Sequence, residues 1–136
     1  MEVEMETIRG QIIPKSNNYI AVPGSGSDTK RIVKSQEVRS YEKTFCLQCR
    51  KYRNRNISSE FRLYCVVYQR SRRFDLDNSL KTLLDCLQYV HAIADDNLCV
   101  EIVAKKRIDR VNPRVEFGLQ EIVEELSLFD LHEAYK

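Results

Sequence analysis

Residues 61–103 read FRLYCVVYQRSRRFDLDNSLKTLLDCLQYVHAIADDNLCVEIV, and the hydrophobic period changes twice along them. "FRLYCVVYQR" is β-branched and aromatic, the composition of a strand. From Asp77 the period lengthens. Leu80, Leu83, Leu84, Leu87 and Val90 recur three and four apart, which predicts an amphipathic helix with one apolar face. Asp77 can cap its N-terminus. After the turn "ADDN" the alternation of "CVEIVAKKRID" returns the chain to a strand. A helix packed on the strand before it brings its far end back to the sheet, so the segment alone points to a sheet covered by helices.

The flanks extend that order. Upstream, "METIRGQII" is strand-like and stops at Pro14. A long polar loop follows, carrying Ser16, Asn17 and Asn18 and then the flexible "PGSGS", and long loops in compact domains tend to be functional. Ser35 is a good N-cap for a helix over "SQEVRSYEKTFCLQCRKYR", with Val38, Tyr41, Phe45 and Cys49 on one stripe. Downstream, "CVEIVAKKRID" and "RVEFGLQEI" alternate like paired strands joined at "RVNP". The tail "VEELSLFDLHEAYK" has the pattern of a short amphipathic helix. The predicted order is β-α-β-α-β-β, an α+β (mixed α/β) architecture with helices packed on a mixed sheet.

At 136 residues the chain is expected to fold as one domain around one core. Its start is acidic and lacks the apolar stretch of a signal peptide, and no apolar run approaches the ~20 residues that span a bilayer. A membrane role is therefore not expected, and a cytoplasmic location is. Of five cysteines, Cys65, Cys86 and Cys99 fall in apolar runs and read as core positions. Cys46 and Cys49 have the spacing of half a zinc site, but no second CxxC or nearby HxxxH supplies the other ligands.

A net charge of +2 hides an asymmetry. Between Lys30 and Arg73 thirteen basic residues stand against three acids, Glu37, Glu42 and Glu60, while both ends of the chain are acidic. Clustered Lys and Arg gain by displacing phosphate counterions, so this block predicts a polyanion partner. A solvated helix face is the plainer reading, and so one-signed a block weighs against it.

Carboxylates sit at both ends of the central helix: Asp75 and Asp77 before it, Asp95 and Asp96 beyond it. Residues two apart in an extended segment point the same way, and Lys81 lies one helical turn beyond Asp77. The loop with Asp95 and Asp96 must come back along the helix for one of them to meet the first pair. Like charges 4 Å apart repel by ~4 kcal/mol at an effective dielectric of 20. Such acids gather only around a cation, and all-oxygen ligands favour Mg²⁺ or Mn²⁺. A magnesium so held polarises a phosphoryl oxygen and activates water, and a lysine beside it offsets developing charge. Taken singly, these residues also have structural explanations: Asp77 as a helix cap, Lys81 as the i,i+4 partner of Asp85, and "ADDN" as turn chemistry. An EF-hand beginning at Asp75 is excluded, because Leu80 and Cys86 stand where its Gly and Glu belong.

"RRFDLDNSLKTLLDCL" followed by "ADDNLCVE", with "IIPKSNNYI" upstream, resembles the RusA family of Holliday-junction resolvases. The family pattern is basic residues, then D-L-D-N-x-x-K, a helix, and D-D before a strand, preceded by a Pro-x-Ser-Asn-Asn loop. The likeness runs from about residue 7 to about residue 120 and leaves out the acidic tail, about 121–136. It departs from the pattern at His91–Ala94, where the family commonly has a glycine and a bulky aromatic; His91 itself reads as a helix-end residue. The resemblance implies that Asp75, Asp77 and Asp96 bind the metal and that Lys81 is the catalytic lysine. It also implies a homodimer acting in DNA recombination and repair, and a family often carried by prophages.

The expected activity is a Mg²⁺-dependent endonuclease making paired symmetric nicks in four-way junctions. Arg72 and Arg73 are placed to steer the scissile phosphate, and Lys30, Arg31 and Lys34, with Asn17 and Asn18, to hold a junction arm. Two symmetric nicks from one site per chain require a C2 pair. The alternatives are a non-catalytic branched-DNA-binding protein and a DxD enzyme using a metal-bound nucleotide. The second leaves the basic block and the later D-D without a role.

Overall fold

The computed structural model describes residues 2–14, 19–23 and 30–122. The elements are β1 (Glu6–Arg9), β2 (Tyr19–Pro23), β3 (Lys30–Lys34), α1 (Gln36–Gln48), β4 (Phe61–Gln69), α2 (Leu76–Tyr89), β5 (Cys99–Ile108) and β6 (Arg114–Glu121). A single 3₁₀ turn, Asp96–Leu98, leads into β5. The main sheet has the order β1-β6-β4-β5. β4 and β5 are parallel and every other neighbouring pair in it is antiparallel, so the sheet is mixed and the class is α+β. The predicted order holds, with one addition. β2 and β3 form a separate antiparallel hairpin inside and beside what reads in the sequence as polar loop.

β4 alternates buried and half-buried along its length. Phe61, Leu63, Cys65, Val67 and Gln69 face the helices, and Arg62, Tyr64, Val66 and Tyr68 face away. α1 contributes Val38, Tyr41 and Phe45 to the interior, and α2 contributes Leu83, Cys86 and Leu87. One core cluster joins most of these to Ile8, Phe117 and Leu119. Ser35 caps α1 as predicted, its Oγ accepting from the Val38 N–H. For α2 the prediction is corrected. The N-cap is Asp75, its side chain makes no cap bond, and Asp77 lies inside the first turn. Cys65 and Cys86 are buried and Cys99 is half-buried. No helix among the described residues is long and apolar enough to cross a membrane.

The end of α1 is fixed to β1 through one carboxylate. Glu6 is buried in a strand, yet it accepts from the backbone N–H groups of Arg50, Lys51 and Tyr52 at 2.7, 2.9 and 3.1 Å and from the Cys49 thiol at 3.3 Å. Burial alone would raise its pKa, but these donors together hold it below the ordinary 4.5. The Cys49 thiol is pushed up to about 12, by burial first and by Glu6 second. Cys49 is thus a buried thiol bonded to Glu6, and among the described residues no third His, Cys, Asp or Glu joins it and Cys46 in a metal-sized group.

Glu6→Gln is expected to cost about 2 kcal/mol at neutral pH, since it removes a charged acceptor and puts an amide N–H₂ against backbone donors. The folded-state pKa is depressed, so the carboxylate's contribution is complete above the unfolded value and is lost as pH falls through the folded one. Urea unfolding of both proteins should show a gap near pH 7 that narrows below pH 4.5. A constant gap would mean that Glu6 acts by shape alone.

Candidate active site

Asp75 and Asp77 stand together at the N-terminal end of α2, both exposed. The polypeptide arrives there from the end of β4 through Arg70–Phe74, a turn held by side chains from elsewhere at its start and its middle. The Arg70 N–H donates to Gln11 Oε1 at 2.8 Å, and Lys106 Nζ donates to the Arg72 carbonyl at 3.1 Å. Arg72 and Arg73 are exposed beside the carboxylates. Asn78 Nδ2 donates to Asp75 Oδ2 at 3.3 Å and the Asn78 N–H to Asp77 Oδ1 at 2.9 Å. The second contact is local and the first is long, so most lone pairs of the two carboxylates stay available to a cation. Lys81 is exposed one turn further on. The free N–H groups of a helix N-terminus favour negative charge there, on the carboxylates and on any phosphate they meet.

Buried contacts set this turn. Gln69 and Ser79 are fully buried. Gln69 Nε2 donates to Ser79 Oγ at 2.8 Å, and Ser79 Oγ donates to the Asp75 carbonyl at 2.9 Å. Thr82 Oγ1 donates to the Ile13 carbonyl at 2.6 Å. The last β4 residue thus fixes the backbone of Asp75, and α2 holds the chain at Ile13. Neither Gln69 nor Ser79 carries a signal in the sequence, because a polar residue at the end of a strand reads as ordinary solvent exposure. Ser79→Ala leaves the Gln69 amide unpaired and should destabilise the fold by about 2 kcal/mol, read as a lower urea midpoint. An unchanged midpoint would show that the pair is not needed to hold the turn.

Asp96 is elsewhere. β4 and β5 are parallel with Phe61 beside Cys99 and Gln69 beside Ile108. Asp75 therefore follows the C-terminal end of the pair, and Asp96 precedes its N-terminal end. The Asp96 N–H donates to Gln88 Oε1 at 3.2 Å, near the far end of α2. That 14-residue helix separates the two ends by roughly 20 Å at about 1.5 Å per residue. The loop does not come back along the helix. Asp95 Oδ1 accepts from the Asn97 N–H at 3.0 Å, closing the 3₁₀ turn and committing the chain to β5. Among the described residues no three His, Cys, Asp or Glu side chains are close enough to hold one metal ion.

The remaining predicted contacts are divided. Lys30, Arg31 and Lys34 lie on β3, whereas Asn17, Asn18 and the tail helix over 123–136 lie outside the described residues. His91 occupies the left-handed region at φ 59° just past the α2 C-cap, Val90, and is exposed, a position where glycine is favoured. A groove of about 500 Å³, lined by Gln11, Tyr41 and Thr44 among others, opens beside the start of α1. None of the four aspartates lines it. The candidate site is an open surface at a helix end, which suits a long polyanion better than a small substrate.

Two comparisons bear on this arrangement. Residues 9–120 match the family model described as Endodeoxyribonuclease RusA. A crossover junction endodeoxyribonuclease RusA from Aquifex aeolicus is 28% identical over 100 residues, which cover 72% of this chain and 75% of the relative.

Proposed function

The chain belongs to the RusA endodeoxyribonuclease family and is an endonuclease, and from that premise we propose that it resolves four-way DNA junctions by paired, Mg²⁺-dependent nicks. The observation that carries the reading is the exposed Asp75–Asp77 pair at the α2 N-terminus, directly behind Arg72 and Arg73 and inside the matched residues. The donor set fits a hard divalent cation: two carboxylates with free lone pairs, no thiolate and no imidazole. Bound there, Mg²⁺ would polarise the scissile phosphate and activate a water, and Mn²⁺ is expected to substitute.

The protein's own groups do the rest. Arg72 and Arg73 hold and orient the phosphate. Lys81, one turn along the same face as Asp77, offsets the negative charge that builds on the phosphorus oxygens and the leaving oxygen. Asp96 completes the carboxylate set only if a second chain supplies it, because within one chain a helix length intervenes. A C2 dimer answers both needs. It brings Asp96 of one copy to Asp75 and Asp77 of the other, and it presents two such sites to the two strands to be cut.

The direct test is cleavage of a synthetic four-way junction beside linear duplex, with Mg²⁺ and with EDTA. Selective, EDTA-sensitive nicking of the junction is expected, and equal cutting of both substrates would defeat the junction assignment. In the same assay Lys81→Ala should lower turnover about a hundredfold with little change in affinity. The Arg72→Ala/Arg73→Ala double variant should weaken binding and flatten its salt dependence by about one phosphate contact per arginine. If Lys81 altered only affinity, it would belong to the DNA clamp.

A further inference from the structure

The groove of about 500 Å³ beside the start of α1 contains none of the carboxylates, yet its walls are tied to the elements that carry them. Gln11 lines it, and Gln11 Oε1 accepts from the N–H of Arg70, the first residue of the turn that carries Arg72 and Arg73. Ile13 lines it too, and the Ile13 carbonyl accepts from Thr82 on α2. Thr82 stands seven residues past Asp75, about 10 Å along a helix at about 1.5 Å per residue. The groove therefore opens within about three nucleotides of the carboxylates, at ~3.4 Å per nucleotide of a stacked strand.

Its lining suits a base and repels a phosphate. Among the described residues no lysine or arginine lines it, and Glu37 adds a carboxylate. Ile13, half-buried, and Tyr41, 5% exposed, give it apolar surface. Gln36, Ser40 and Thr44 add an amide and two hydroxyls, and among the described residues these side chains have no hydrogen-bond partner. Gln11 is wall only, because its amide is committed to Arg70 and to the Ile12 carbonyl at 2.9 Å. The Tyr41 hydroxyl is buried and has no partner among the described residues. An orphaned buried hydroxyl on a residue that lines a ligand-sized groove points to a polar guest. An aromatic ring beside neutral donors and acceptors is what an unstacked base requires.

We propose that this groove receives one nucleobase, unstacked from the strand to be cut within about three nucleotides of the scissile phosphate. The proposal deepens the junction reading and rests on it. Tyr41 gives the base a ring to lie against and a hydroxyl to donate, and Gln36, Ser40 and Thr44 meet its polar edge. Unstacking costs least where pairing is already broken. A base site beside the carboxylates therefore favours a branch point over a linear duplex, and the chain selects its substrate through a base as well as through phosphates.

Base stacking can be read directly. 2-Aminopurine, which brightens when unstacked, is placed singly at each position near the cut in a synthetic four-way junction. Fluorescence is measured in EDTA, so that nothing is cut, and at saturating protein, so that affinity does not enter. Wild type should brighten one position about twofold or more above the free junction. Ser40→Trp puts an indole into the groove from an exposed helix position and should return that position to the brightness of the free junction. Tyr41→Phe should lose about half of the rise or more while keeping or raising the urea midpoint, since it removes only an unpartnered hydroxyl. A purely structural Tyr41 would move the midpoint and not the fluorescence. The proposal is overturned by a wild type that binds the junction and brightens no position, or by either variant brightening as wild type does. A chain that binds no junction takes the proposed function down with the groove. One that binds and cuts junctions with every base near the cut still stacked defeats the groove alone.

Discussion

Replacing Asp77 by asparagine is expected to lower junction cutting by about a thousandfold or more while leaving junction binding intact or tighter. The cause is the division of labour at the start of α2. Asp77 is exposed and, among the described residues, its side chain accepts only from the neighbouring Asn78 N–H, a bond that an asparagine oxygen can also accept. The fold therefore loses nothing that the substitution removes. What goes is one exposed negative charge, which on the proposed reading would face both the cation and the phosphate. Without the cation that charge repels DNA, so its loss favours binding. As the proposed ligand of the cation, it would take the metal away from the scissile phosphate when lost. Asp75→Asn should behave the same way, since its side chain makes no cap bond to lose. Asp95→Asn is the control, because Asp95 accepts from the Asn97 N–H and an asparagine can still do so. Binding measured by gel shift and rate measured at saturating Mg²⁺ separate the two effects. Near wild-type cutting by Asp77→Asn at saturating Mg²⁺ would remove it from the metal set.

How much of this was legible in the sequence depends on the range of the forces involved. The helix stripes and the Ser35 cap are local, and the apolar positions Val38, Tyr41, Phe45, Leu83 and Leu87 are buried as their spacing dictates. The D-x-D at the helix start was legible for the same reason. Its cap was misplaced by two residues because Asp75 and Asp77 are both good N-caps by type, and buried Ser79, bonded to the Asp75 carbonyl and to Gln69, starts the helix earlier. The β2–β3 hairpin escaped because its five-residue strands are short and flanked by Pro, Gly and Ser. The placement of Asp96 was beyond any local pattern. It depends on β4 and β5 being parallel, so that a helix must separate their opposite ends. The β-α-β order points to a parallel pair, but no residue near Asp96 marks which end of that pair it joins.

That separation makes the strongest prediction one about mixtures. Chains carrying Asp77→Asn and chains carrying Asp96→Asn should each be inactive alone, and an equimolar mixture should regain nicking. In a dimer whose sites draw Asp75 and Asp77 from one copy and Asp96 from the other, a mixed dimer assembles one site from the two intact contributions. Its second site carries both substitutions. About half of the dimers in a random equimolar mixture are mixed, each with one working site in place of two. The recovered nicking rate should therefore approach a quarter of wild type, from a background about a thousandfold lower. Paired incision should stay rare, because one working site nicks one strand of a junction at a time. Had the three carboxylates met within a single chain, a mixed dimer would contain two damaged sites and mixing would recover nothing. The assay thus reads the geometry through the chemistry. Recovery requires that Asp96 serve its neighbour, and its absence, with exchange of chains verified by differently tagged copies, would leave the two ends of α2 without a common metal.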